Sequence, residues 1–195
     1  MSDLPSNDPI PGDPKTCDAI EHVIVPRARD LGGFEVRRAL PAAERQMVGP
    51  FIFLDQMGPA EFLLTGGIDV RPHPHIGLST VSWLLDGVIQ HKDSLGYDRP
   101  IKPGELNWMT AGKGIVHSER SPELDRKIDR KIYGIQSWVA LPKQHEETQP
   151  GFEHVDAAAL PLLSDKLRQV RVIAGSMFGE KSPVKTHSDL FYADV

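Results

Sequence analysis

Residues 71–93 read RPHPHIGLSTVSWLLDGVIQHKD, and this stretch decides the fold class. STVSWLL and VIQH are rich in β-formers and partly alternating, and the Asp86-Gly87 pair between them reads as the tight turn of an antiparallel hairpin. Just ahead of them, His73 and His75 are spaced by two. In an extended segment alternate side chains leave the same face, so both imidazoles can aim at one point.

Working outward, the chain offers further short β-rich runs: HVIVP, GFEVRRA, PFIFL, ELNWMT, GIVH, YGIQSWVAL, RQVRVIAG and DLFYADV. Gly, Pro, Asp and Asn punctuate them. Seventeen glycines and seventeen prolines, with no long 3.6-period stretch before about residue 155, favour an all-β sandwich or barrel over a helical bundle. Residues 1–18 are polar and proline-rich, with almost nothing to bury, and are expected to form a disordered tail. Residues 19–142 are expected to form the main domain. In 143–195, KQHEETQPGFEH reads as polar and linker-like, and VDAAALPLLSDKL as a short helix broken at Pro161, followed by two strands.

Composition removes several function classes. The net charge of −5 supplies no cationic excess for a phosphate backbone, so no direct nucleic-acid partner is expected. Cys17 is the sole cysteine, which excludes an intrachain disulfide and a thiolate metal cluster. The N-terminal residues lack a signal-peptide pattern, and no segment approaches the roughly 18 to 20 apolar residues of a membrane helix. The expected address is the cytoplasm, without a membrane partner.

The second informative motif is GKGIVHSE, in which His117 and Glu119 repeat the two-residue spacing 42 positions after His75. An HxH pair alone is ordinarily two surface histidines. Two such pairs on two strands, each after a glycine-containing turn, make a set of three imidazoles and one carboxylate for a divalent metal: Fe, Ni, Cu, Mn or Zn. His22, His91, His145, His154 and His187 lack paired partners at strand spacing and read as surface or locally bonded residues. Trp83, Trp108, Met109 and Trp138 read mainly as core, with a minority lining the pocket. Gly112-Lys113-Gly114 lacks the spacing of a phosphate loop and reads as a tight turn before a strand. The mixed-sign run ERSPELDRKIDRK reads as a solvated loop.

RPHPHIGLSTVSWLLDGVIQHKDSLG, PGELNWMTAGKGIVHSE and IQSWVALP together resemble the pirin family of the cupin superfamily. The resemblance runs from about Ala28 to Pro142. It implies a cupin double-stranded β-helix, or jelly-roll barrel, followed here by an incomplete second cupin segment, because the chain stops at FYADV. It also implies that His73, His75, His117 and Glu119 ligate the metal, with Fe(II) the foremost candidate. Where relatives often read HPHRGFET this chain has HPHIGLST, so Ile76 and Ser79 are expected to alter hydrogen bonds beyond the ligands.

Some pirins are quercetin 2,3-dioxygenases, which open a flavonol ring with dioxygen; others are non-enzymatic regulators of transcription or metabolism. The first reading gives Glu119 a catalytic role, as the base that takes the substrate hydroxyl proton. The second implies a protein partner instead of turnover. Strand edges and apolar faces left by an incomplete second barrel are expected to promote self-association or instability unless the first barrel covers them.

Overall fold

Gly and Pro punctuation divides the chain into strands short enough to form two facing sheets, and the computed structural model, which describes residues 22–31, 34–61, 67–123 and 131–195, contains fifteen of them among those residues. In order they are β1 (Arg27–Asp30), β2 (Glu35–Leu40), β3 (Phe51–Glu61), β4 (Asp69–His75) and β5 (Leu78–Asp86). Next come β6 (Ile89–Asp93), β7 (Asp98–Ile101), β8 (Leu106–Thr110), β9 (Ile115–Arg120) and β10 (Lys131–Ala140). The last five are β11 (Gly151–Val155), β12 (Leu162–Ser164), β13 (Gln169–Met177), β14 (Glu180–Lys181) and β15 (Phe191–Asp194). The expected disordered tail, Cys17 included, lies outside the described residues, as does most of the mixed-sign run after Glu123.

A seven-stranded sheet in the order β1-β2-β3-β10-β5-β8-β11 faces a four-stranded sheet in the order β4-β9-β6-β7, which is the jelly-roll arrangement of a cupin. Between β3 and β10 the chain therefore changes sheet at every step but the one from β6 to β7. β5 pairs with β10 and β8, whereas β6 pairs with β9 and β7, so the expected β5–β6 hairpin is not formed. Asp86-Gly87 instead carries the chain from one sheet to the other. Gly87 has φ +84°, and a Cβ there would lie 2.4 Å from the Lys131 carbonyl oxygen, so only glycine passes so close to the start of β10.

Three further readings change. HVIVP forms no strand, and the run read as a linker holds a short 3-10 turn (Lys143–His145) and β11, whose Gly151–Val155 pairs antiparallel with β8. The expected helix over residues 155–167 is not formed either: Ala157–Ala159 makes only a 3-10 turn, and beyond Pro161 the chain is extended as β12, which pairs with β13.

The remaining strands β12 to β15 form a second four-stranded sheet. It packs on the outer face of the seven-stranded sheet: Val81, Trp83, Leu106, Trp108 and Val139 share one core with Ile173, Ala174 and Val184. The first barrel thus covers an apolar face of the shorter sheet. Because β5 and β8 are covered on both sides, every residue of β8 is buried although the strand carries Asn107 and Thr110. A second core of Val36, Met57, Ile68, Leu84, Ile89, Ile101 and Ile132 fills the barrel interior. No helix among the described residues is long and apolar enough to cross a membrane.

Candidate metal centre

The four-stranded sheet supplies most of the site. β4 and β9 pair so that His73 lies directly opposite His117, and β6 on the other edge of β9 sets Asp93 opposite His117 and His91 opposite Glu119. Alternation then sends His73, His75, His117 and Glu119 to the barrel interior, as the two-residue spacing requires.

His73, His75 and His117 come together, with one nitrogen of each within 4.8 Å of the others. Their rings meet edge-on or tilted at centroid distances of 4.5 to 4.9 Å. Glu119 belongs to an overlapping group with His117 and His91. Burial of His117 (2% exposed) and His75 (7% exposed) removes the water that would solvate an imidazolium. Desolvation first, and then the neighbouring imidazoles, lowers the pKa of His75 to about 4 and that of His117 to about 3. Both are neutral at pH 7, the state in which a ring nitrogen offers a lone pair.

The orientations of the rings suit a cation. His73 Nδ1 lies 2.8 Å from the Arg71 carbonyl oxygen, which only accepts, so Nδ1 carries the proton and Nε2 the lone pair. That Nε2 faces His117 Nε2 at 3.1 Å. Two buried imidazoles, the half-buried His73 and a neighbouring carboxylate fit a first-row divalent metal, and the donor set is the nitrogen and oxygen type that iron, nickel and zinc accept.

Glu119 is held from the opposite sheet. Ser82 Oγ on β5 donates to its Oε1 (3.1 Å), and Gln136 Nε2 on β10 donates to its Oε2 (2.7 Å). Trp138, two residues beyond Gln136, stacks on Phe53 at 4.1 Å and sets its edge on His75 at 5.0 Å, so it walls the site. Trp83 and Trp108 belong to the core on the other face of the sheet. The Ala111–Gly114 turn precedes β9, closed by Gly114 N–H donating to the Ala111 carbonyl (2.9 Å).

His91 is the locally bonded residue, not the surface one, of the two that its sequence allowed: it is 2% exposed and stands between Asp93, two residues on, and His117. The signal was present as HKD, which repeats the two-residue spacing with a carboxylate in place of the second imidazole. Ser82 and Gln136 carry no local signal, since their partner is 37 and 17 residues away.

The pirin family model matches residues 33–139, more than half of the chain. The chain belongs to the pirin family. A pirin-like protein of Caulobacter vibrioides is 51% identical over 176 residues, spanning 89% of this chain and 61% of its own length. Pirin of Rattus norvegicus is 34% identical over 163 residues, spanning 83% of this chain and 53% of its own. The crystal structure of quercetin 2,3-dioxygenase from Acinetobacter baumannii superposes with a TM-score of 0.80 at 37% identity, covering 87% of this chain and 55% of that one. This pirin chain therefore spans about half to three fifths of the length of these relatives.

Proposed function

We propose that this pirin is a metal-dependent quercetin 2,3-dioxygenase, using Fe(II) held by His73, His75, His117 and Glu119 to open a flavonol ring with dioxygen. The observation that carries the reading is the convergence of three imidazoles, two of them buried with depressed pKa values, beside a carboxylate oriented by two donors. The 37% identity to quercetin 2,3-dioxygenase of Acinetobacter baumannii supports the substrate class.

When bound, the ion supplies Lewis-acid polarisation of a substrate oxygen and a template that keeps the reactants adjacent. The chain's residues handle the proton. Gln136 Nε2 can only donate, so Glu119 Oε2 remains an acceptor. Ser82 is a hydroxyl, able to turn from donor to acceptor, so a proton taken from the substrate hydroxyl stays bonded to Glu119 Oε1, whose O–H then donates a hydrogen bond to Ser82 Oγ. Burial of the carboxylate (6% exposed) keeps water from competing for that proton. Self-association is part of the proposal: Leu162, Phe178 and Phe191 of the second sheet remain 47%, 71% and 60% exposed. Sedimentation velocity showing a monomer at all concentrations would remove it.

The deciding experiment is metal analysis, anaerobic Fe(II) loading and oxygen uptake with quercetin on one preparation. We expect near-stoichiometric metal, quercetin-dependent uptake, loss of both in His73→Ala, and loss of uptake with metal retained in Glu119→Gln. Metal without uptake would overturn the dioxygenase reading in favour of a non-enzymatic regulator. Full turnover by Glu119→Gln would overturn the proton role of that carboxylate.

A further inference from the structure

A buried chain of hydrogen-bonding groups leads away from the three imidazoles. Asp93 Oδ1 accepts from the backbone N–H groups of Leu95 (2.9 Å) and Tyr97 (3.1 Å), which pins the carboxylate. Its Oδ2 lies 3.0 Å from His91 Nε2, with the Asp93 and His91 side chains 0% and 3% exposed. His91 Nδ1 in turn faces His117 Nδ1 at 3.4 Å. Phe152, from the opposite sheet, stacks on the His91 ring at 4.4 Å and 18°, fixing its plane.

The polarity of this chain follows from its far end. A carboxylate accepts, so His91 Nε2 carries the proton and His91 Nδ1 presents a lone pair. At the near end, His73 also presents a lone pair, because its Nδ1 proton is committed to the Arg71 carbonyl. His117 stands between two lone pairs with one proton to give. A cation at the His73 and His117 Nε2 atoms removes the conflict: both Nε2 lone pairs go to the ion and the His117 Nδ1 proton goes to His91.

We infer that Asp93 and His91 are positioning residues for the metal, acting by giving His117 Nδ1–H an acceptor and so holding the His117 Nε2 lone pair for the ion. The inference rests on the reading that the three imidazoles bind a divalent ion, and it adds two residues that touch neither ion nor substrate. It also predicts which changes hurt. In Asp93→Asn the single amide oxygen is claimed by Leu95 and Tyr97 N–H, turning the NH₂ toward His91. His91 must then accept at Nε2 and carry its proton at Nδ1, pointing it at the proton of His117. In His91→Phe the stack on Phe152 survives but the acceptor is gone. In His91→Gln a carbonyl oxygen and an NH₂ can serve His117 and Asp93 with the original polarity.

The test uses zinc(II) alone, titrated calorimetrically into the full metal-stripped chain, with the thermal midpoint of each variant as the folding control. Asp93→Asn and His91→Phe are expected to weaken zinc binding by about 10- to 100-fold. His91→Gln is expected to stay close to wild type. A purely structural role predicts the reverse order, with the aromatic replacement benign and the amide harmful. Zinc binding by folded His91→Phe equal to wild type would overturn the inference, as would His91→Gln as weak as His91→Phe.

If the variants do not fold, long-range ¹H–¹⁵N correlation on the zinc-loaded wild type reads the protons directly. His117 protonated at Nδ1 and His91 at Nε2 supports the chain; His91 protonated at Nδ1 overturns it. Wild type that binds no zinc, iron or nickel would sink the metal reading itself, an outcome separate from wild-type binding that is indifferent to His91.

Discussion

At His117 one ring serves three tasks: it faces His73 through Nε2, His91 through Nδ1, and it excludes water from the centre of the barrel. This arrangement has a cost in acid. The pKa values of His75 and His117 fall to about 4 and about 3 from the usual 6.5, so the unfolded chain binds protons that the folded chain refuses. Stability then rises with pH across that window. The contribution of the two rings is complete above about pH 6.5 and is lost as pH falls toward about 4 and then about 3. For the metal-stripped chain the thermal midpoint should drop steadily between these limits, and the double variant His75→Gln/His117→Gln should flatten the profile. A wild-type midpoint that stays level from pH 7 to pH 4 would remove the argument. The four candidate ligands were legible because they repeat a strand-spaced pattern. His91 was legible only as a locally bonded residue, because its contact with His117 depends on the pairing of β6 with β9. Ser82 and Gln136 were illegible for another reason: an inward polar residue on a strand becomes meaningful only once the opposite sheet is known to present Glu119 to it.

The turn between β8 and β9 sets the angle at which His117 and Glu119 enter the barrel. Gly112 in that turn has φ +51°, and a Cβ there would lie 2.1 Å from the Thr148 carbonyl oxygen. The same carbonyl accepts from Lys113 N–H at 3.0 Å, and the Gly112 carbonyl accepts from Gly77 N–H at 2.8 Å, so the loop has little room to yield. Gly112→Ala should therefore destabilise the protein by roughly 1–3 kcal/mol, through backbone strain and the forced shift of Thr148. Gly151, whose added Cβ would meet nothing within 4 Å, is the control. Gly151→Ala should stay within about 0.5 kcal/mol of wild type. Calorimetric midpoints of both variants decide the matter, and equal midpoints would refute the turn's role. At this scale the sequence carried strand existence well and strand pairing badly. PFIFL, STVSWLL, ELNWMT and YGIQSWVAL all became strands, because alternation and β-branched content are local properties. The Asp86-Gly87 hairpin failed because both edges of β5 are occupied by β8 and β10, strands 20 and more residues away, and no local turn preference outweighs two full ladders.

The molecule joins its candidate metal centre to its second sheet through single strands. On β5, Ser82 faces inward to hold Glu119, while Val81 and Trp83 face outward into the core shared with Ile173, Ala174 and Val184. On β10, Gln136 holds the other oxygen of Glu119 and Val139 joins the same outer core. A loss of packing on the outer face is thus felt, one residue along on β5 and three along on β10, by the groups that orient the carboxylate. Ile173 is fully buried at the centre of that core. Ile173→Ala should cost about 2–5 kcal/mol, since the surrounding sheets can collapse only partly into the space left. More telling is how the loss is distributed. If the two sheets form one cooperative unit, Trp83 and Trp108 fluorescence read in a Trp138→Phe background, far-UV circular dichroism and zinc release should follow a single shared transition in urea, shifted to lower denaturant in the variant with its slope unchanged. The contrary result is equally readable: tryptophan fluorescence changing first, with zinc retained into a second transition, would mean that the second sheet lies on the barrel without supporting it. In that case the orientation of Glu119 by Ser82 and Gln136 would depend on the barrel's own strands alone.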